Sequence, residues 1–241
     1  PKIKLENYGY NKLHLDVLSL DNLTEKYATQ SITKKAVSDN NVTPLHLAAI
    51  NPNAAVIKKL LEQNMELNAM DTMLHKPIHY AACCESPGPL EVLIEKGANV
   101  FDVSNSKISP LHYAAINGRA ENIAVILKQQ RQVFKLRDRQ NMTAFSYALA
   151  LGEIEPIKAF LDSGVVKINA GQGPDRMPPL SWAACYGRYE LCEWLLSQKA
   201  RTLTKDKFKR TPLMMAVKNG HVKIASLLLQ HGSEWNHVDS S

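Results

Sequence analysis

A seven-residue pattern returns six times at nearly constant spacing, and that periodicity restricts the fold more than any other feature of the chain. Three copies are close to one another: Thr43-Pro44-Leu45-His46-Leu47-Ala48-Ala49, Lys76-Pro77-Ile78-His79-Tyr80-Ala81-Ala82 and Ser109-Pro110-Leu111-His112-Tyr113-Ala114-Ala115. Three are more divergent: Thr143-Ala144-Phe145-Ser146-Tyr147-Ala148-Leu149, Pro178-Pro179-Leu180-Ser181-Trp182-Ala183-Ala184 and Thr211-Pro212-Leu213-Met214-Met215-Ala216-Val217. Their first residues are separated by 33, 33, 34, 35 and 33 positions. An apolar segment at helical spacing follows each copy, such as Val56-Ile57-Leu60-Leu61 after the first and Leu191-Trp194-Leu195-Leu196 after the fifth. Gly97, Gly164 and Gly232 stand where a left-handed residue would end the second helix.

Each unit therefore reads as two short helices. Thr is a good N-cap, and Pro suits the first helical turn because its missing N–H has no partner there in any case. The His three residues on is placed to reach back to the cap. Paired alanines let two helices approach closely. A single pair of this size cannot bury its own apolar face, so neighbouring units must stack to form a core.

The pattern resembles the ankyrin repeat, from about residue 33 to residue 241. The resemblance implies an all-α solenoid of stacked helix-turn-helix units with β-hairpin fingers and a concave face. The family's turn glycine, two residues before the Thr, is replaced by Asn41, Leu74, Lys107, Asn141, Arg176 and Lys209. Asn tolerates a left-handed turn, whereas Leu and Lys do so at a cost. Ser146 and Ser181 replace the His of the fourth and fifth copies, so those inner helices are expected to be less firmly fixed. The junction Asn169-Ala170-Gly171-Gln172-Gly173-Pro174 predicts a longer, looser finger. Residues 1–32 read as a degenerate capping repeat and 33–241 as the array. The start on Pro1 and the finger-like end at Gly232–Asp239 suggest a piece of a longer chain.

No catalytic motif stands out. No zinc-finger spacing occurs among the eight His and four Cys, and no phosphate-binding or nucleophile motif is present. Acidic residues are expected at scattered surface positions. The reading is a non-enzymatic binding module with no cofactor and no metal. Cysteine usage points to a reducing, intracellular compartment. No stretch is apolar enough to insert in a membrane.

Charge is the remaining signal. The net charge is +6. Residues 128–139 carry Lys128, Arg131, Lys135, Arg137 and Arg139 against Asp138, and residues 199–210 carry Lys199, Arg201, Lys205, Lys207, Lys209 and Arg210 against Asp206. Both runs are expected at fingers, with Arg176 between them, forming a basic strip that favours an acidic protein segment as partner. Nucleic acid is disfavoured because aromatics are not interleaved with the cations, and an anionic lipid surface ranks last. By resemblance to the family, partner contacts come from finger positions and from the ends of the inner helices. These are Met73, His75, Ile108, Arg139, Met142, Met177, Lys207, Phe208 and Arg210 on fingers, and Asn117, Leu151, Tyr186, Lys218 and Asn219 on helices. The rival reading makes the chain a regulatory arm of a larger membrane channel or enzyme.

Overall fold

The computed structural model describes residues 40–233 and divides them into two compact units, one ending at Val133 and the other starting at Phe134. The expected capping repeat at 1–32, and Trp235 with the rest of the C-terminal finger, lie outside the described residues.

In the first unit, three helix pairs follow the sequence period. Inner helices α1 (Pro44–Ala49), α3 (Pro77–Cys83) and α5 (Pro110–Ile116) alternate with outer helices α2 (Ala54–Glu62), α4 (Gly88–Glu95) and α6 (Ala120–Gln129). The inner helices pack on one another in order, as do the outer ones. Ala48, Ala49, Ala81, Ala82, Ala114 and Ala115 are fully buried, which brings inner and outer backbones together. Leu45, Ile57, Leu60, Ile78, Leu90, Leu93, Leu111, Ile123, Ile126 and Leu127 fill the space between the layers.

The second unit repeats the scheme with α7 (Ala144–Leu151), α8 (Ile154–Asp162), α9 (Pro179–Cys185), α10 (Tyr189–Ser197), α11 (Pro212–Lys218) and α12 (Val222–Gln230). Here aromatic groups replace part of the aliphatic core: Phe145 and Phe160 pack with ring centroids 5.2 Å apart. A 3₁₀ turn, Arg131–Lys135, runs across the boundary in the chain, and its Val133 is buried.

Every inner helix begins one residue after the first position of its sequence motif. The histidines explain how firmly. His46 Nδ1 accepts the N–H of its own cap, Thr43, at 3.1 Å, and His46 Nε2 donates to the His75 carbonyl at 3.1 Å. His79 does the same between Lys76 N–H (2.9 Å) and the Asp102 carbonyl (3.2 Å). Each ring thus caps one helix through an accepting Nδ1 and holds the next finger through Nε2–H, a pair of bonds that requires the neutral Nε2–H form. Ser146 keeps only the local half, bonding to Thr143 Oγ1 at 2.9 Å, and Ser181 Oγ is buried without a hydrogen-bond partner.

The fingers are hairpins too short for a strand ladder. One isolated antiparallel bridge, Gln172 with Met177, marks the longer fifth finger among the described residues. All six residues that replace the turn glycine are left-handed, with φ of 59° at Asn41, 62° at Leu74, 59° at Lys107, 61° at Asn141, 51° at Arg176 and 61° at Lys209. Left-handed backbone costs a side-chain-bearing residue about 1–2 kcal/mol.

Acidic clamps offset that strain. Asp71 Oδ1 accepts the N–H groups of Met73 and His75, both at 2.8 Å. Asp138 does so for Gln140 and Met142 (2.8 and 2.9 Å), and Asp206 for Phe208 and Arg210 (2.9 Å each). These three carboxylates are only 7% exposed. The expectation of acids scattered on the surface is corrected here: three of them are buried parts of the fingers, placed there because the turn leaves two backbone donors pointing inward.

Candidate protein-binding faces

In the first unit, the second finger and the inner helices bring together a cluster of rings. His75 Nδ1 donates to Asp71 Oδ2 at 2.9 Å, and its Nε2 is hydrogen-bonded to the Tyr113 hydroxyl at 2.6 Å. Tyr80 donates its hydroxyl to the same Asp71 oxygen at 3.0 Å. Burial works against the Asp71 carboxylate, yet the bonds from His75 and Tyr80 hold it below the usual carboxylate range. His79 packs edge-on to His75 and Tyr113, with centroids 5.8 and 6.0 Å away. Burial, reinforced by His75, lowers His79 to about 4.

Other contact candidates in this unit are more open. Met73 is exposed, Ile108 is half-buried, and the exposed Asn117 caps α5 through its own Nδ2, which donates to the Tyr113 carbonyl at 2.8 Å. Sequence reasoning found His75 but not Asp71, Tyr80 or Tyr113. The recurrence of Asp five residues before the motif at Asp71, Asp138 and Asp206 was the available signal.

In the second unit the sixth finger carries a compact charged cluster. Lys207 Nζ pairs with Asp175 Oδ1 of the fifth finger at 2.7 Å, and Arg210 spans Asp206 (2.6 Å) and Asp175 (3.3 Å). The hydrogen bond from Lys207 and the nearby Arg210 hold Asp175 below its ordinary pKa. Lys207 Nζ and the Arg210 guanidinium both approach the Phe208 ring, 4.8 and 4.7 Å from its centroid. Phe208 is half-buried in this stack rather than a bare anchor. Lys205 and Lys209 are exposed on the same finger.

The remaining candidates spread out. Arg139 and Lys218 are exposed, Met142 and Leu151 are half-buried, and Met177 is only 6% exposed because the bridge to Gln172 turns it inward. Tyr186 is 50% exposed and stacks on Trp182 at 5.4 Å. Asn219 is anchored to the Met215 carbonyl at 2.8 Å. The run 128–139 does not lie wholly on a finger: Lys128 belongs to α6 and Arg131 and Lys135 to the 3₁₀ turn, which leaves Arg137 and Arg139 near the fourth finger. Cations close together in sequence thus fall on a helix, a turn and a finger.

A family profile described as ankyrin repeats matches three copies, over residues 13–104 and 163–239. The chain belongs to the ankyrin-repeat family. The human ASB11 ankyrin repeat domain has the same fold, with a TM-score of 0.69 over 83% of this chain and 88% of that one, at 23% identity. Among curated proteins, the chain is 30% identical over 219 residues to the poly [ADP-ribose] polymerase tankyrase of Caenorhabditis elegans, covering 83% of this chain and 10% of that protein. It is 33% identical over 119 residues to the human transient receptor potential cation channel subfamily A member 1, covering 47% of this chain and 10% of the channel. The chain thus spans about a tenth of the length of these two relatives.

Ankyrin repeats generally mediate protein–protein interaction and are not themselves catalytic modules. Among the described residues, no helix is long and apolar enough to cross a membrane, and no group of three or more ligating side chains could hold a metal ion.

Proposed function

We propose that this chain is a protein-interaction scaffold whose second unit receives an acidic segment of a partner along its fingers. The observation that carries the reading is a charge division. Residues 40–133 hold eight cations and eight acids, whereas residues 134–233 hold fifteen cations and eight acids. Most of those fifteen lie on or next to fingers, while Glu153, Glu155, Asp162, Glu190 and Glu193 sit on or at the ends of the outer helices. A field of one sign on one face attracts a partner of the opposite sign and fixes its register. Preorganised fingers also limit the ordering entropy of association.

The test is binding of a fluorescent glutamate-rich peptide at low and moderate salt. Lys205, Lys207 and Lys209 changed together to Ala should weaken binding by about tenfold and flatten its salt dependence. Equal affinity for the variant would refute the acidic-segment reading and turn attention to the first unit, whose charges balance.

A second reading is supported by the relatives, which are much longer proteins. The chain would then be one arm of a larger channel or enzyme, and its scaffold role would regulate that protein from within. The gene's full coding sequence decides this: a membrane domain or catalytic domain in the same chain supports it. The four cysteines are unpaired thiols, which agrees with the intracellular setting that both readings require.

A further inference from the structure

On the finger side of the first unit lies a pocket of about 180 Å³, lined by Ile50, His75, His79, Tyr80, Cys83 and Tyr113. One wall falls at a register where the neighbouring copies carry a larger side chain. The position seven residues after the start of each motif is Ile50 in the first copy, Cys83 in the second and Ile116 in the third. Cys83 lines the pocket with a smaller side chain than the isoleucine of either neighbouring copy.

The polar groups of the walls are largely committed within the protein. Both nitrogens of His75 are engaged by Asp71 and Tyr113, both nitrogens of His79 by Lys76 and Asp102 backbone groups, and the Tyr80 hydroxyl by Asp71. Burial pushes the Cys83 thiol up to about 11, so it enters no ionic contact at neutral pH. A charged or amide side chain placed here would lose its water for at most a bond to a tyrosine hydroxyl oxygen. Asp71 is already met by four donors, and the balanced charge of residues 40–133 supplies no field to draw an ion inward.

We propose that this pocket receives one leucine or methionine side chain from an uncharged, extended segment of a protein partner. The guest supplies the aliphatic volume that Cys83 lacks, against ring faces and Ile50. The proposal extends the scaffold reading to the first unit and does not depend on an acidic segment.

The experiment titrates N-acetyl-leucine amide and N-acetyl-methionine amide into the whole chain with ¹³C-labelled isoleucine methyls, following Ile50. A saturable Ile50 shift is expected with both, and none with the corresponding amides of glutamate, lysine or trimethyl-lysine. Cys83→Ile should abolish the shift while leaving distant methyl signals in place, since the flanking copies carry Ile at that register. Cys83→Ala should preserve it. The proposal is overturned if neither apolar amide gives a saturable shift, if trimethyl-lysine amide is preferred, or if Cys83→Ile still binds. A glutamate-rich peptide that binds the second unit while both apolar amides leave Ile50 unmoved would sink this proposal alone.

Discussion

The buried histidine staple makes the first unit sensitive to mild acid, and His79 is where the effect can be measured. In the folded chain its Nδ1 accepts a backbone N–H and its Nε2 donates to a carbonyl, so protonation at Nδ1 must break the cap. Its pKa falls from 6.5 to about 4, chiefly through burial. The unfolded chain takes up a proton below about pH 6.5, whereas the folded chain takes it up only near pH 4. Stability from neutral His79 is therefore complete above pH 6.5, is lost as pH falls toward 4, and changes no further below that. The whole shift corresponds to about 3 kcal/mol, of which about 2 kcal/mol is lost between pH 7 and pH 4.5. Urea unfolding followed by far-ultraviolet circular dichroism should show the midpoint falling by roughly 1 M between these pH values. His79→Gln is the control, because Gln can accept the cap N–H and donate to Asp102 without titrating. That variant should lose about 2 kcal/mol less than the wild type over the same interval. Equal losses in the two proteins would refute the assignment of the acid sensitivity to His79.

Two other outcomes follow from the fingers and staples. Amides of α7 and α9, whose copies carry Ser146 and Ser181 in place of the stapling His, should exchange faster than those of α1, α3 and α5 in hydrogen-exchange mass spectrometry, and uniform protection would sink the idea. Asp175→Asn removes the internal carboxylate that competes for Lys207 and Arg210, so affinity for a glutamate-rich peptide should rise by about twofold to fivefold, the scale of an exposed ion pair; an unchanged affinity would mean that Asp175 and the peptide use different groups.

Helix placement was legible because it rests on local rules. Cap, proline and paired alanines recur together, and α1, α3, α5, α7, α9 and α11 each begin one residue after their motif starts. The left-handed finger tips were equally readable, since the departures from glycine occupy one register. What escaped were effects that join residues far apart in sequence or depend on where a turn points its donors. Asp71, Asp138 and Asp206 look like ordinary surface acids until the turn aims two N–H groups at each one. Lys207 and Asp175 are 32 residues apart, and no local count of charge reveals that one neutralises the other. The pocket beside Cys83 depends on the absence of atoms, which only packing exposes.

The finger tips also set local stability against the chemistry of the surface they present. Glycine would occupy the left-handed position without strain, yet three of the six tips carry Lys107, Arg176 and Lys209, all exposed. If these cations serve only solubility, the strain is unexplained, since a cation elsewhere on the surface would serve equally well. If they contact an acidic partner, the strain is the cost of projecting charge from a rigid tip. Lys209→Gly separates the two cases. It should raise unfolding stability by about 1 kcal/mol through relief of the left-handed conformation, and at the same time weaken glutamate-rich peptide binding with a shallower salt dependence. Leu74→Gly, at the same register in the first unit, should give the stability gain with no change in that binding. A Lys209→Gly chain that is more stable and binds as well as before would show that the tip cation takes no part in recognition, and the acidic-segment reading would then have to rest on Lys205, Lys207 and Arg176 alone.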